Sequence, residues 1–380
     1  MRRIYLDANA TTPLLAEVLE EMRPFLVGQF GNASSIHQEG QLARSAVEQA
    51  RGRVALLLGC RPSEVVFTSG GTESDNLAVF GSVKSGDHVI SSSVEHHAVL
   101  HAVERLADRG VEVTVVPVDG EGVVSAEDVR RALRPNTRLV SVMVANNETG
   151  VLQPVEEIGR ITREAGVHFH VDAVQAAGKV AIDVEAIGCD LLSISGHKMH
   201  GPQGTGALFV RRRTRLEPLF AGGAHERQRR AGTENVAGIV GLGKAAECAM
   251  EGLRIGATER MRELRDRLET GLREFASGVN GGRTARVPNT ANVWFASLDG
   301  EALVIGLDLK GLAVSSGAAC SSGASEPSHV LRAMGLPIER ARASLRFSLH
   351  RQTTIEEIDR AIELVATQVV RLRELSAVPQ

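Results

Sequence analysis

From about residue 60 to about residue 210, apolar runs alternate with helical stretches, and each run ends in a polar or glycine-rich corner. Few folds accept that pattern. Glu64–Thr68, His88–Ser92, Val111–Pro117, Leu139–Ala145, His168–Val171 and Leu191–Ser195 read as strands, rich in β-branched residues. Alternation with helices predicts an α/β fold: a doubly wound, mostly parallel sheet covered on both faces. Leu139–Ala145 is almost wholly apolar, as a parallel strand buried on both faces requires. Open α/β sheets bind ligands beyond the C-terminal ends of their strands. The residues just past each strand are therefore the first candidates for a site.

The stretch Asp190–Val210 carries the most chemistry. Leu191–Ser195 is a strand, Gly196, Gly201, Gly204 and Gly206 bend the chain, and Ala207–Val210 is a second strand. On the bend sits Lys198, the only lysine between Lys179 and Lys244. A lysine on a corner is ordinarily a solvated charge. Beside Ser195 and His197 at the end of a buried strand, it can instead be a desolvated, nucleophilic amine. Such an amine suits a Schiff base with an aldehyde cofactor, which would also need a phosphate site, a partner for a ring nitrogen and a stacking group.

The other corners offer these. Ser69-Gly70-Gly71-Thr72 links a strand to a helix expected over Leu77–Val83, a geometry that aims backbone N–H groups and a helix dipole at one point. Gly71 and Thr72 are thus phosphate candidates, although turns use glycine in any case. His96 follows His88–Ser92 and reads either as a ring against a cofactor, an acid/base, or a capping surface residue. Asn147 follows Leu139–Ala145. Asp172, with Gln175 three residues on, ends His168–Val171. A carboxylate there costs energy unless paired, and a protonated pyridine nitrogen would pair it. No one of these corners is specific alone. Their shared placement is the signal, because unrelated surface residues need not gather on one sheet edge.

The rest of the chain sets the frame. Its 380 residues exceed one ordinary core and predict two domains. We place the larger at 13–255 and the smaller, α+β, at 1–12 plus 256–380. A formal charge of -3 gives no global pull toward nucleic acid or membrane. No apolar run approaches a membrane span, and four scattered cysteines point to a reducing, cytoplasmic setting without a disulfide framework or metal site. Cys60, Cys189 and Cys248 read as core residues. Cys320 differs: it lies in Ser315–Ser325, a Ser/Gly/Ala segment without bulky neighbours, and reads as a nucleophile. Pro218–Thr233 is too long for an idle loop. Arg346, among Leu345, Phe347 and Leu349, needs an anion if it points inward, either a substrate carboxylate or a structural ion pair. Thr354 and Glu357 form a capping box for the last helix.

Taken together, the motifs resemble the pyridoxal-phosphate-dependent cysteine desulfurases of the NifS/IscS type, in the class V aminotransferase group (fold type I). The resemblance runs almost end to end, through Tyr5-Leu6-Asp7, Thr68–Asp75, Glu95-His96, Asn146–Gly150, Asp172–Gln175, Ser195–Lys198, Arg230–Thr233 and Ser315–Cys320. It implies that Lys198 holds the pyridoxal 5'-phosphate, Asp172 meets its ring nitrogen and Gln175 its ring hydroxyl, and His96 stacks on the ring and moves protons. It further implies that Gly71, Thr72, Ser195 and His197 hold the phosphate, with Thr233 reaching the phosphate of a neighbouring subunit in a homodimer. Asn147 and Arg346 would clamp the carboxylate of L-cysteine. Cys320 would take the sulfur as a persulfide and pass it to an iron–sulfur scaffold or another acceptor protein, leaving L-alanine. Where this group usually has a serine, the chain has Ala318. It also ends at Gln380, soon after its last helix, so docking through the C-terminal tail of the housekeeping members is not expected. A class V transaminase or lyase would use Lys198 and Asp172 but have no need of Cys320.

Overall fold

The computed structural model describes residues 3–316 and 327–377. Seven strands form the main sheet, in the order Val65–Thr68, Gly206–Val210, Leu191–Ser195, His168–Asp172, Thr137–Ser141, His88–Ser92, Glu112–Val116. Only Gly206–Val210 runs against its neighbours; the other pairings are parallel. The reversed strand follows from the glycine corner after Ser195, which returns the chain directly instead of through a crossover helix. The central strands are buried, including all of Leu191–Ser195 and Gly206–Val210, while the edge strand Glu112–Val116 is largely exposed or half-buried. The core around this sheet reaches from Leu15 to Val287.

Two expected boundaries shift. The helix anticipated at Leu77 begins at Gly71, so Thr72–Asn76 are helical rather than loop. Apolar periodicity starts only at Leu77 because the first turn faces the sheet edge, where polar side chains are wanted. The strand expected through Ala145 ends at Ser141. Val142–Ala145 stay buried, and Val142 and Val144 donate backbone hydrogen bonds to His170 and Asp172 without regular pairing.

A second sheet is antiparallel, in the order Ser315–Ser316, Ser344–Ser348, Thr290–Trp294, Gly278–Val279. It has its own core, running from Leu264 to Val369 and including Ile4 and Leu6 of the N-terminal arm. The arm pairs Ile4–Tyr5 with Leu312–Ala313, then crosses to the edge of the main sheet. The final helix, Ile355–Ala377, starts with the expected reciprocal cap: Thr354 N donates to Glu357 and Glu357 N to Thr354 Oγ1. The long loop is tied down by Glu226, which accepts from both Nη atoms of the buried Arg51 and from Phe67 N. Glu226, Arg227 and Gln228 take positive φ there, a strained local backbone that the buried ion pair helps to hold.

Candidate active site

A cavity of about 310 Å³ opens where the parallel strands end. Ten residues expected at the site line it: Gly71, Thr72, His96, Asn147, Asp172, Gln175, Ser195, His197, Lys198 and Arg346. Thr233 is exposed and does not line it. Cys320 lies outside the described residues. Its described flanks do meet the site: Ser315 pairs with Arg346, while Ser328 donates to Glu148 and His329 Nε2 contacts Glu95 O at 2.9 Å.

Lys198 sits on the corner directly after Leu191–Ser195 and is half-buried. Its Nζ donates to the carbonyls of Asn9 (2.6 Å) and Ala10 (2.8 Å) on the N-terminal arm. The adjacent His197 contacts Thr11 Oγ1 at 3.2 Å, and burial, ahead of the charge of Lys198, lowers its pKa to about 4. Facing them, helix Gly71–Ser82 begins at the end of Val65–Thr68 without a side-chain cap. Its opening N–H groups and dipole therefore point into the cavity. The approach is close: a Cβ on Gly71 would stand 2.7 Å from Val174 Cγ2. Ser195 Oγ, buried beside this turn, has no hydrogen-bond partner. Free N–H groups, an unused hydroxyl and the half-buried imidazole of His197 suit a phosphate.

Asp172 is buried at the end of its strand. Its Oδ1 accepts from Val174 N at 2.8 Å, and burial raises its pKa to about 6. His96 is both alternatives at once: Nδ1 accepts from Ala98 N, capping helix His97–Ala107, and the ring lines the cavity. That bond assigns the remaining ring proton to Nε2. Burial first, then Lys198 and neighbouring histidines, lower its pKa to about 4, so the ring is neutral and its Nε2–H is a hydrogen-bond donor. Of the two readings of Arg346, the structure shows the structural ion pair. Nη2 pairs with Asp7 Oδ1 at 2.7 Å and Nη1 donates to Asn147 O at 3.1 Å, which fixes the guanidinium; Nε is buried without a partner, as is Asn147 Oδ1.

Several lining residues escaped the sequence reading: Asn9, Ala10, Asp75, Met143, Ala145 and Val174. Asn9 is the hub. It is 2% exposed; its carbonyl accepts from Lys198 and Gln175, and its side chain meets Lys179, Asn147, Asn289 and Thr290. The one available signal was a polar run, Asp7 to Thr12, inside an otherwise extended arm. Asp75 lies behind Asp172, and burial followed by the Asp172 charge pushes its pKa well up. His170, 3.6 Å away, has a pKa lowered to about 3 by burial, so this contact is not an ion pair.

Comparison with known proteins agrees with this geometry. The chain is 46% identical over 385 residues to a cysteine desulfurase IscS of Dictyoglomus turgidum, covering 100% of this chain and 98% of that one. It is 51% identical to the cysteine desulfurase IscS of Anaeromyxobacter sp. strain Fw109-5, covering 98% and 94%. A solved NifS-like protein superposes with a TM-score of 0.91 at 38% identity, covering 97% of this chain and 100% of that one. A structure of SspA in complex with cysteine gives 0.81 at 38% identity, covering 91% and 98%. The model of the aminotransferase class-V family matches residues 4–361, and the chain belongs to that family.

Proposed function

We propose that this chain is a pyridoxal-phosphate-dependent cysteine desulfurase in which Lys198 holds the cofactor and Cys320 receives the sulfur. The observation that carries the reading is the convergence of Lys198, Asp172, His96, Gln175, Arg346 and an uncapped helix start on one cavity. The donor set fits the cofactor at each point. Gly71, Thr72, Ser195 and His197 match the phosphate, the buried carboxylate of Asp172 matches the ring nitrogen, and His96 offers a ring face.

When bound, pyridoxal phosphate supplies an electron sink for the carbon skeleton of the substrate. Asp172, a buried carboxylate oriented by Val174 N, would hold a proton on the ring nitrogen. Arg346, its guanidinium fixed by Asp7 and by the Asn147 carbonyl, would take the α-carboxylate together with the Asn147 side chain. Lys198 Nζ, with its amine free, would take the α-proton. Neutral His96, its Nδ1 held by Ala98 N, would give up and recover the proton on Nε2. The thiolate of Cys320 attacks the substrate sulfur; the S–S bond forms as the C–S bond breaks, and the bonding pair stays with the carbon skeleton. Protonated, that skeleton leaves as alanine. Asp7 and Asn9, by gripping Arg346, Asn147 and Lys198, hold the two halves of the site in register.

The domain division at 13–255 and 1–12 with 256–380 has the support of two separate cores. The working unit is a homodimer in which Thr233 reaches the partner's phosphate. Exposed Leu26, Val27, Phe30 and Ile36 give the two chains an apolar surface to share. Among the described residues, no helix is long and apolar enough to cross a membrane. A cytoplasmic enzyme delivering sulfur to an iron–sulfur scaffold or a similar acceptor completes the reading. The test is a visible spectrum of the purified protein before and after L-cysteine, with alanine and reducible sulfide assayed together. Equal yields with a shifting band are expected; a coloured protein making no sulfide overturns the desulfurase assignment.

A further inference from the structure

Behind Gln175, outside the lining of the cavity, is a second amine that the mechanism does not use. Lys179 is 7% exposed, four residues after Gln175. Its Nζ donates to Gln175 Oε1 at 2.7 Å and to Asn9 Oδ1 at 3.3 Å. Gln175 Nε2 in turn donates to the carbonyl of Asn9 at 2.9 Å. Both acceptors of Lys179 are neutral amide oxygens. Burial, followed by the charges of Lys198 and Arg346, drives its pKa well below the ordinary lysine value. Both of its hydrogen bonds run from the amine to an amide oxygen, so Lys179 acts on Gln175 as a donor.

A glutamine amide can be turned about so that either end faces a ligand, and the two ends have opposite polarity. In this site the turn is decided. Were the amide reversed, its NH₂ would confront the Lys179 N–H donors and its oxygen the carbonyl of Asn9, two donor–donor and acceptor–acceptor clashes in a buried setting. We propose that Lys179 is a positioning residue that locks the Gln175 amide with its N–H end toward the cavity, so that the site offers a donor to an anionic ring oxygen of the cofactor. This rests on the pyridoxal phosphate reading above, and adds to it which form of the ring hydroxyl the site selects: the ionised one.

The consequence is measurable. A donor on the ring oxygen competes with the proton on the cofactor–lysine nitrogen for the same negative charge. Losing it should raise the pH midpoint of the bound cofactor's visible band and weaken cofactor binding. Lys179→Met, similar in length without a donor, is expected to raise the midpoint by about half a unit or more and to weaken pyridoxal phosphate binding by roughly fivefold to tenfold, one hydrogen bond's worth. In a Gln175→Ala background the same substitution should shift neither quantity further, whereas an amine acting only by charge or packing would shift both again. Lys179→Arg, which restores a donor, should recover most of the wild-type midpoint. Gln175→Glu leaves Lys179 in place and puts an oxygen where the N–H is required; it should lose affinity and raise the midpoint even if Lys179→Met fails to fold. Unchanged midpoint and affinity in Lys179→Met, additive shifts in the double variant, or tight binding by Gln175→Glu would each overturn the inference while leaving the desulfurase reading intact. A wild-type chain that binds no pyridoxal phosphate would overturn both.

Discussion

At the scale of single residues, the site works by burying groups whose charge must be controlled. Lys198→Ala should remove the cysteine-dependent visible change and cysteine-driven sulfide release, because no other amine lines the cavity at that corner among the described residues. Cys320→Ser should keep cofactor binding and lose sulfide release, since the expected role of Cys320 begins only after the substrate is bound. Asp7→Asn removes the charge that fixes Arg346 and should raise KM for cysteine more than it lowers kcat, by about tenfold, roughly the worth of one buried charged contact. Glu95 offers a pH test. It is fully buried, accepts from Ser92 Oγ and Met143 N, and burial raises its pKa from 4.5 to about 8. The folded state therefore favours the protonated acid. No penalty applies below the unfolded value; the cost grows as pH rises and is complete above about 8. Glu95→Gln should melt higher than the parent at pH 9, by up to about 5 kcal/mol in stability, with the difference vanishing toward pH 5. Melting curves at both pH values check this.

At the scale of elements, the helix Gly71–Ser82 must start hard against the neighbouring loop for its N–H groups to reach a ligand. Gly71→Ala brings a Cβ within 2.7 Å of Val174 and should push the helix start away. Cofactor dissociation should quicken by roughly tenfold while the circular dichroism spectrum is unchanged, because the loss is one of alignment at a helix terminus. Gly206 makes a similar demand on the reversed strand: its Cβ would meet the backbone of Gly70 at 2.7 Å. The last helix is a separate matter. Thr354→Ala breaks its reciprocal cap and should cost about 1 kcal/mol of stability, measurable in denaturant, with catalysis untouched.

At the scale of the whole molecule, the N-terminal arm ties the two sheets together, and the proposed role of Thr233 would tie two chains. The arm spans both sheets: Ile4 and Leu6 are packed in the smaller core, and Asn9 sits under Lys198. If Thr233 serves the neighbouring site, mixing Thr233→Ala with Lys198→Ala chains should restore activity that neither has alone. Half of the dimers would be mixed, each with one complete site, for about a quarter of the wild-type rate. Sedimentation of a Phe30→Glu variant as a single chain would support the shared apolar face; an unchanged mass would remove Phe30 from it.

The alternation of strands and helices, and the placement of Lys198, Asp172, His96 and Thr72 just past strand ends, could be read from residue order, because a parallel sheet puts every such corner on one edge. The capping box at Thr354 was equally local. Asn9, Asp75 and Lys179 were not legible, since each matters through partners more than sixty residues away or through burial that periodicity cannot report. Nor could sequence choose between the two readings of Arg346. Residue order determined which chemistry was available and on which edge; only the tertiary structure decided orientation and charge state, because hydrogen-bond partners and desolvation are properties of neighbours in space.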